Sequence, residues 1–158
     1  MTWIQSYKSP NYGPRISEDG EEPKVNILVI HYTGMSNGSL SLEHLCNPSS
    51  KVSAHFFLDE KGNTYQLIAT EKRAWHAGES NWKNFKFLNK FSIGIELVNP
   101  GHENGYRKFS KKQIFSLKQI SKKLISKYNI NPSNIVGHSD IAPLRKKDPG
   151  EKFPWEEL

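Results

Sequence analysis

Val25-Asn26-Ile27-Leu28-Val29-Ile30-His31 is a short, β-branched and almost wholly apolar run, and it limits the folds open to this chain more than any other segment. A strand that is apolar on both faces must be covered on both faces, which places it inside a layered sheet. Its last residue is a histidine, and Gly34 to Gly38 then break the pattern. Near the other end of the chain the arrangement recurs. Ile135-Val136-Gly137-His138 reads as a last short strand that runs into a loop punctuated by Pro and Gly.

Between these runs the periodicity supplies the remaining elements. Ser39 to Leu45 predicts a short helix with Leu42 and Leu45 on one face. Ser53–Leu58 and Thr64–Ile68 flank Asp59-Glu60-Lys61-Gly62-Asn63, a hairpin signal in which Gly62 suits a positive φ. Phe91–Val98 predicts a further strand. Ser110 opens the clearest helix, with Gln113 placed to complete a capping box. Ile114, Leu117, Ile120, Leu124, Ile125 and Tyr128 recur at helical spacing, and lysines fill the opposite face. The order β, α, β-hairpin, β, α, β predicts an α/β fold with a mixed central sheet flanked by helices. A length of 158 residues suits one domain with one core. Residues 1–24, rich in Ser, Pro, Gly and acidic side chains, read as an irregular arm, and residues 25–158 as the domain proper.

Composition narrows the function classes. No apolar run approaches the roughly 20 residues needed to span a bilayer, and Met1-Thr2-Trp3-Ile4-Gln5 carries no signal-peptide pattern. The expectation is a cytoplasmic protein, or a periplasmic or secreted one if the sequence is a trimmed form. Cys46 stands alone, so no intrachain disulfide forms, and a buried apolar role is expected for it. The net charge of +6 admits nucleic acid, an anionic surface or an anionic polymer as partner. Zinc-finger cysteine pairs, an RNA-recognition aromatic motif and a helix-turn-helix pattern are all lacking, so no nucleic-acid partner is expected. A monomer is expected, because no apolar helix face is left over.

The candidate chemistry sits at strand ends, where α/β folds build their sites on rigidly held side chains. His31 and His138 are one carboxylate short of a three-ligand zinc site with an open fourth position, and Asp140 and Asp148 are the nearby candidates. Glu96 interrupts the apolar strand Ile93-Gly94-Ile95-Glu96-Leu97-Val98. A carboxylate there is costly unless it faces a cleft or a partner. Burial would raise its pKa and suit it to general-base work; the alternative is an edge-strand glutamate facing solvent.

Gly137-His138-Ser139-Asp140-Ile141-Ala142-Pro143, followed by Arg145-Lys146-Lys147-Asp148-Pro149-Gly150, closely resembles the signature of the type 2 N-acetylmuramoyl-L-alanine amidases, a family that also includes peptidoglycan recognition proteins. Ile30-His31-Tyr32-Thr33, Val52-Ser53-Ala54-His55-Phe56, Trp75-His76-Ala77-Gly78 and Ser92-Ile93-Gly94-Ile95-Glu96-Leu97 resemble further family motifs, in family order. The resemblance implies a zinc amidase that cleaves the amide between the lactyl group of N-acetylmuramic acid, or its anhydro form, and L-alanine of the peptidoglycan stem. It implies His31, His138 and Asp148 as zinc ligands, with Asp140 orienting the loop. Glu96 would accept the attacking water's proton, and Lys146 would stabilise the oxyanion. Trp75 and His76 resemble groove residues that contact substrate, and Arg145 could pair with a stem-peptide carboxylate. Leu144 stands where close relatives often carry glycine. His55 reads as structural, and His44 and His102 have no assigned role. The implied alternative is a non-catalytic recognition module, but such relatives typically lack a metal ligand. A zinc peptidase is a further alternative, against which the His-Glu-x-x-His motif is missing.

Overall fold

The computed structural model describes residues 3–16, 20 and 22–158. In chain order its elements are β1 (Tyr12–Gly13), β2 (Ile27–Tyr32), α1 (Gly38–Cys46), β3 (Phe56–Leu58), β4 (Thr64–Gln66), β5 (Arg73–Ala74), β6 (Asn81–Trp82), β7 (Phe85–Lys86), β8 (Ser92–Leu97), α2 (Lys111–Tyr128), β9 (Ile135–Gly137) and α3 (His138–Ile141). Five strands form the central sheet in the order β4-β3-β8-β2-β9. Within it β3, β8, β2 and β9 run parallel, and β4 closes one edge antiparallel to β3. This is the mixed sheet that the sequence predicts, covered by helices on both faces.

Alternation along the strands decides what each face carries. Leu28 and Ile30 of β2, with Ile93, Ile95 and Leu97 of β8, pack against Ile114, Leu117, Ile120 and Leu124 of α2. Ile27 and Val29 point the other way, onto Ala77, Leu88 and Ile141. Phe57 shares that second face with Leu42 and Leu45 of α1. His31, Ser92, Gly94 and Glu96 continue the second set by parity, so the chemistry is confined to one side of the sheet.

Helix α2 is held by packing. Leu117, Ile120 and Leu124 are all buried, each worth about 1.5–3 kcal/mol, against about 1 kcal/mol for a cap. Ser110 caps the helix by accepting from the Gln113 amide N–H at 3.1 Å. The expected capping box is only half formed, however. The Gln113 side chain is buried and its Nε2 donates to the carbonyls of Leu58 (3.0 Å) and Val98 (3.1 Å). A buried amide needs buried partners, and these strand-end carbonyls supply them, pinning α2 to the sheet.

A second difference concerns His138. It opens the short helix α3 directly after β9, where the sequence suggested a loop. Asp140 accepts from the Gly137 N–H at 2.7 Å and closes that turn.

Of the arm expected over residues 1–24, residues 1, 2, 17–19 and 21 lie outside the described residues. Its described part is tied into the domain. Tyr12–Gly13 pairs with Arg73–Ala74. Arg15 is buried, and its guanidinium donates to the carbonyls of Thr70, Asn89, Lys90 and Ser92. Burial pushes that guanidinium down to about 10. These bonds fasten the 70–92 segment, which carries Trp75 and His76, to the sheet.

Candidate metal centre and active site

His31 lies at the C-terminal end of β2, and β9 runs directly beside it, so the chain leaving β9 delivers His138 to the same place. Asp148 reaches the pair from the loop after α3. His31 Nδ1 lies 3.0 Å from His138 Nδ1 and 3.0 Å from Asp148 Oδ2, and His138 Nδ1 lies 3.2 Å from the same oxygen. All three residues are buried, and their ligand atoms form a group able to hold a metal ion. The proton positions support this use. His138 Nε2 lies 3.1 Å from the Ala77 carbonyl, which can only accept. Nε2 therefore carries a proton, and in a neutral ring Nδ1 presents its lone pair to His31 and Asp148. An imidazole oriented by a backbone carbonyl behind it is the usual setting of a metal-bound histidine. Two neutral imidazole nitrogens and one carboxylate converging from one side fit a divalent ion with an open coordination position.

Glu96 is the register partner of His31 across the β2–β8 ladder. Its Oε2 is buried and has no hydrogen-bond partner. Burial, then the charge of Asp148, push its carboxyl well above the usual range, with Lys146 acting in the opposite direction. His31, Glu96, His138, Lys146 and Asp148 line one cleft of about 410 Å³. A buried carboxyl, a cation and a group able to hold a metal ion around one opening are parts that a hydrolytic site can use.

Residues 21–151 match the family described as N-acetylmuramoyl-L-alanine amidase. This chain belongs to that amidase family. It is similar to the N-acetylmuramoyl-L-alanine amidase AmiD of Escherichia coli (strain K12), at 40% identity over 148 residues, 86% of this chain and 52% of that protein. It thus spans about half the length of that relative. It is also 40% identical to the 1,6-anhydro-N-acetylmuramyl-L-alanine amidase AmpD of Haemophilus influenzae, covering 99% of this chain and 90% of that one. Among solved structures, AmiD from E. coli in complex with anhydro-N-acetylmuramic acid-L-Ala-D-gamma-Glu-L-Lys superposes with a TM-score of 0.78 at 37% identity, over 90% of this chain and 59% of that chain.

In this amidase-family chain the softer candidates separate. Trp75 is half-buried and lines the cleft, with its backbone N–H donated to Ser53 Oγ at 2.8 Å. Arg145 also lies on the cleft, but its Nη2 donates to the carbonyls of Ala77 (2.9 Å) and Glu79 (2.7 Å). It clamps the 77–79 turn against the loop after α3. His76 is buried, and both of its ring nitrogens are engaged within the fold. His55 is wholly buried and structural: its Nδ1 accepts from the Gly94 N–H at 3.0 Å.

Sequence reasoning passed over His102, which belongs to the cleft wall. His102 Nδ1 meets the Tyr32 hydroxyl at 2.9 Å, its Nε2 meets Glu151 at 2.9 Å, and its ring stacks on Tyr106 at 4.2 Å between centroids. Only the fold brings these loops together, and no local signal marks them. Ser92 and Gly94 did leave a signal. They alternate with Ile93, Ile95 and Leu97 and share Glu96's parity, which marks that face of β8 as something other than core.

The buried imidazoles make the fold sensitive to acid. Burial, then His138, push His31 down to about 4, and burial, then Arg15, push His55 down to about 3. His76 is likewise held well below its usual range, by burial and then by His31 and His55. Each folded value lies below the ordinary 6.5. The unfolded chain therefore binds more protons as the pH drops, and stability that is fully present above 6.5 is lost below it. The free energy of unfolding is expected to fall between pH 6.5 and 4 by up to about 1.4 kcal/mol per pH unit for each such imidazole, less the opposite contribution of Glu96, whose raised carboxyl takes up its proton earlier in the folded chain. Denaturant midpoints measured across that range check this, and a flat profile contradicts it.

Proposed function

We propose that this chain is a zinc-dependent N-acetylmuramoyl-L-alanine amidase, with His31, His138 and Asp148 as the zinc ligands. The substrate is a muropeptide or peptidoglycan strand, cleaved between the lactyl group of N-acetylmuramic acid, or its 1,6-anhydro form, and L-alanine. The observation that carries this reading is the buried His31–His138–Asp148 group with Glu96 in register beside it on the cleft. AmiD, whose structure is similar, is recorded with an anhydro-muropeptide substrate. One chain supplies the ligand set and both cleft walls, which supports action as a monomer.

His31, His138 and Asp148 would hold the zinc, which would supply Lewis-acid chemistry to the scissile carbonyl and the attacking water. Glu96 takes a proton from that water and passes it to the leaving nitrogen of L-alanine, for which its raised proton affinity suits it. Lys146 places an ammonium on the same cleft and stabilises the oxyanion that develops at the carbonyl. Arg145, Lys146 and Lys147 give the opening a positive rim, which complements the carboxylates of a stem peptide. Trp75 offers a flat apolar face against the sugar or the peptide.

The test is incubation of the zinc-loaded chain with N-acetylmuramoyl-tripeptide and with its anhydro form, read by mass spectrometry beside a chelator-treated control. Zinc-dependent release of free tripeptide is expected. A chain that binds zinc and leaves both muropeptides intact would be a recognition module instead.

A further inference from the structure

Behind the metal-facing side of His31 runs a chain of hydrogen bonds whose direction is fixed at its far end. The Ser92 hydroxyl lies 2.6 Å from the Leu88 carbonyl, which can only accept, so its single proton goes there. Ser92 Oγ is then an acceptor toward His76 Nε2, 3.1 Å away, which must carry the proton. In a neutral ring that leaves a lone pair on His76 Nδ1, facing His31 Nε2 at 3.0 Å. His31 therefore donates from Nε2, and its Nδ1 is left with a lone pair aimed at His138 and Asp148.

From this we propose that His76 is a positioning residue: with Ser92 it sets the tautomer and the ring plane of His31 before any metal arrives. The proposal rests on His31 being a zinc ligand. The architecture around His76 is built for the task. Its backbone N–H is held by Asn89 Oδ1 at 3.0 Å, and the Ala77 N–H by the same oxygen at 2.8 Å. A Cβ at Gly94 would lie 2.4 Å from His76 Cγ, so only glycine lets the ring lie across β8. Ala77, the next residue, orients His138 through its carbonyl. Two consecutive residues, one through its side chain and one through its backbone, thus aim both imidazoles at one point. A ligand held in the wrong tautomer must first exchange a proton and rotate, which weakens binding.

The experiment uses the full chain, uniformly labelled with 15N and stripped of metal, and reads histidine tautomers from two-bond 15N–1H spectra. Protons on Nε2 of His31 and of His76 are expected, and a proton on Nδ1 of His31 overturns the relay. Zinc affinity by chelator competition supplies the second readout. His76→Leu, which fills the space without accepting a proton, is expected to weaken zinc binding about 10–100-fold. His76→Asn places a carbonyl oxygen where Nδ1 stood and is expected to recover most of that loss. Equal affinity in wild type and the leucine variant overturns the proposal, as does a folded asparagine variant no better than leucine. Failure of the wild type to bind zinc overturns the ligand assignment itself, a result distinct from a wrong tautomer.

Discussion

Glu96→Gln is expected to lower kcat for muropeptide hydrolysis by about 10²- to 10⁴-fold, the range for loss of a general base, with zinc still bound. Glutamine keeps the volume and the register opposite His31, so the change isolates the proton-accepting function. Burial and the charge of Asp148 raise the carboxyl's proton affinity, and Oε2 carries no hydrogen bond inside the fold. An ionisable group held in so costly a setting lowers the stability of the fold. The thermal midpoint of the variant is therefore expected to equal or exceed that of the wild type. Steady-state kinetics, metal content per chain and thermal melts check the three parts. Activity within a few-fold of wild type would remove Glu96 from the proposed chemistry.

Asp148→Asn is expected to weaken zinc binding by about 10²- to 10⁴-fold. The magnitude follows from apportioning an apparent ~10–16 kcal/mol for a protein zinc site among three ligands, or about 3–5 kcal/mol each. The amide retains the shape but loses the charge that balances the ion and the anionic oxygen that meets both imidazoles. Asp140→Asn provides the contrast, because Asp140 is committed to the Gly137 N–H at the start of α3. That variant is expected to keep wild-type zinc affinity within a few-fold and to lose only about 1 kcal/mol of stability. Competition with a chromophoric chelator measures both. Comparable losses in the two variants would mean that the aspartates were assigned wrongly.

The sheet was legible because its signals are local. A both-sides-apolar run such as Val25–Ile30 allows only an interior strand, and the period of Ile114, Leu117, Ile120 and Leu124 allows only a helix with one buried face. Glu96 announced itself by the same logic, as a carboxylate at a position the strand period would otherwise fill with an apolar side chain. Gln113 was misjudged because its spacing fits a cap, whereas burial gave its amide two sheet carbonyls to satisfy.

Local pattern by itself determined the layered α/β fold, the strand-end placement of His31 and the unusual setting of Glu96, since each depends on a handful of neighbouring side chains. Without the family resemblance it left Asp140 and Asp148 equivalent as partners for the two histidines. Tertiary structure alone decided which carboxylate meets imidazoles 107 residues apart, and that Asp148 arrives from 117 residues beyond His31. It alone decided that His76 stands behind His31, and that Arg15 is enclosed by four backbone carbonyls. The reason is physical: those contacts follow from parallel strand order and register, which sum the burial of the whole sheet and are written in no single segment.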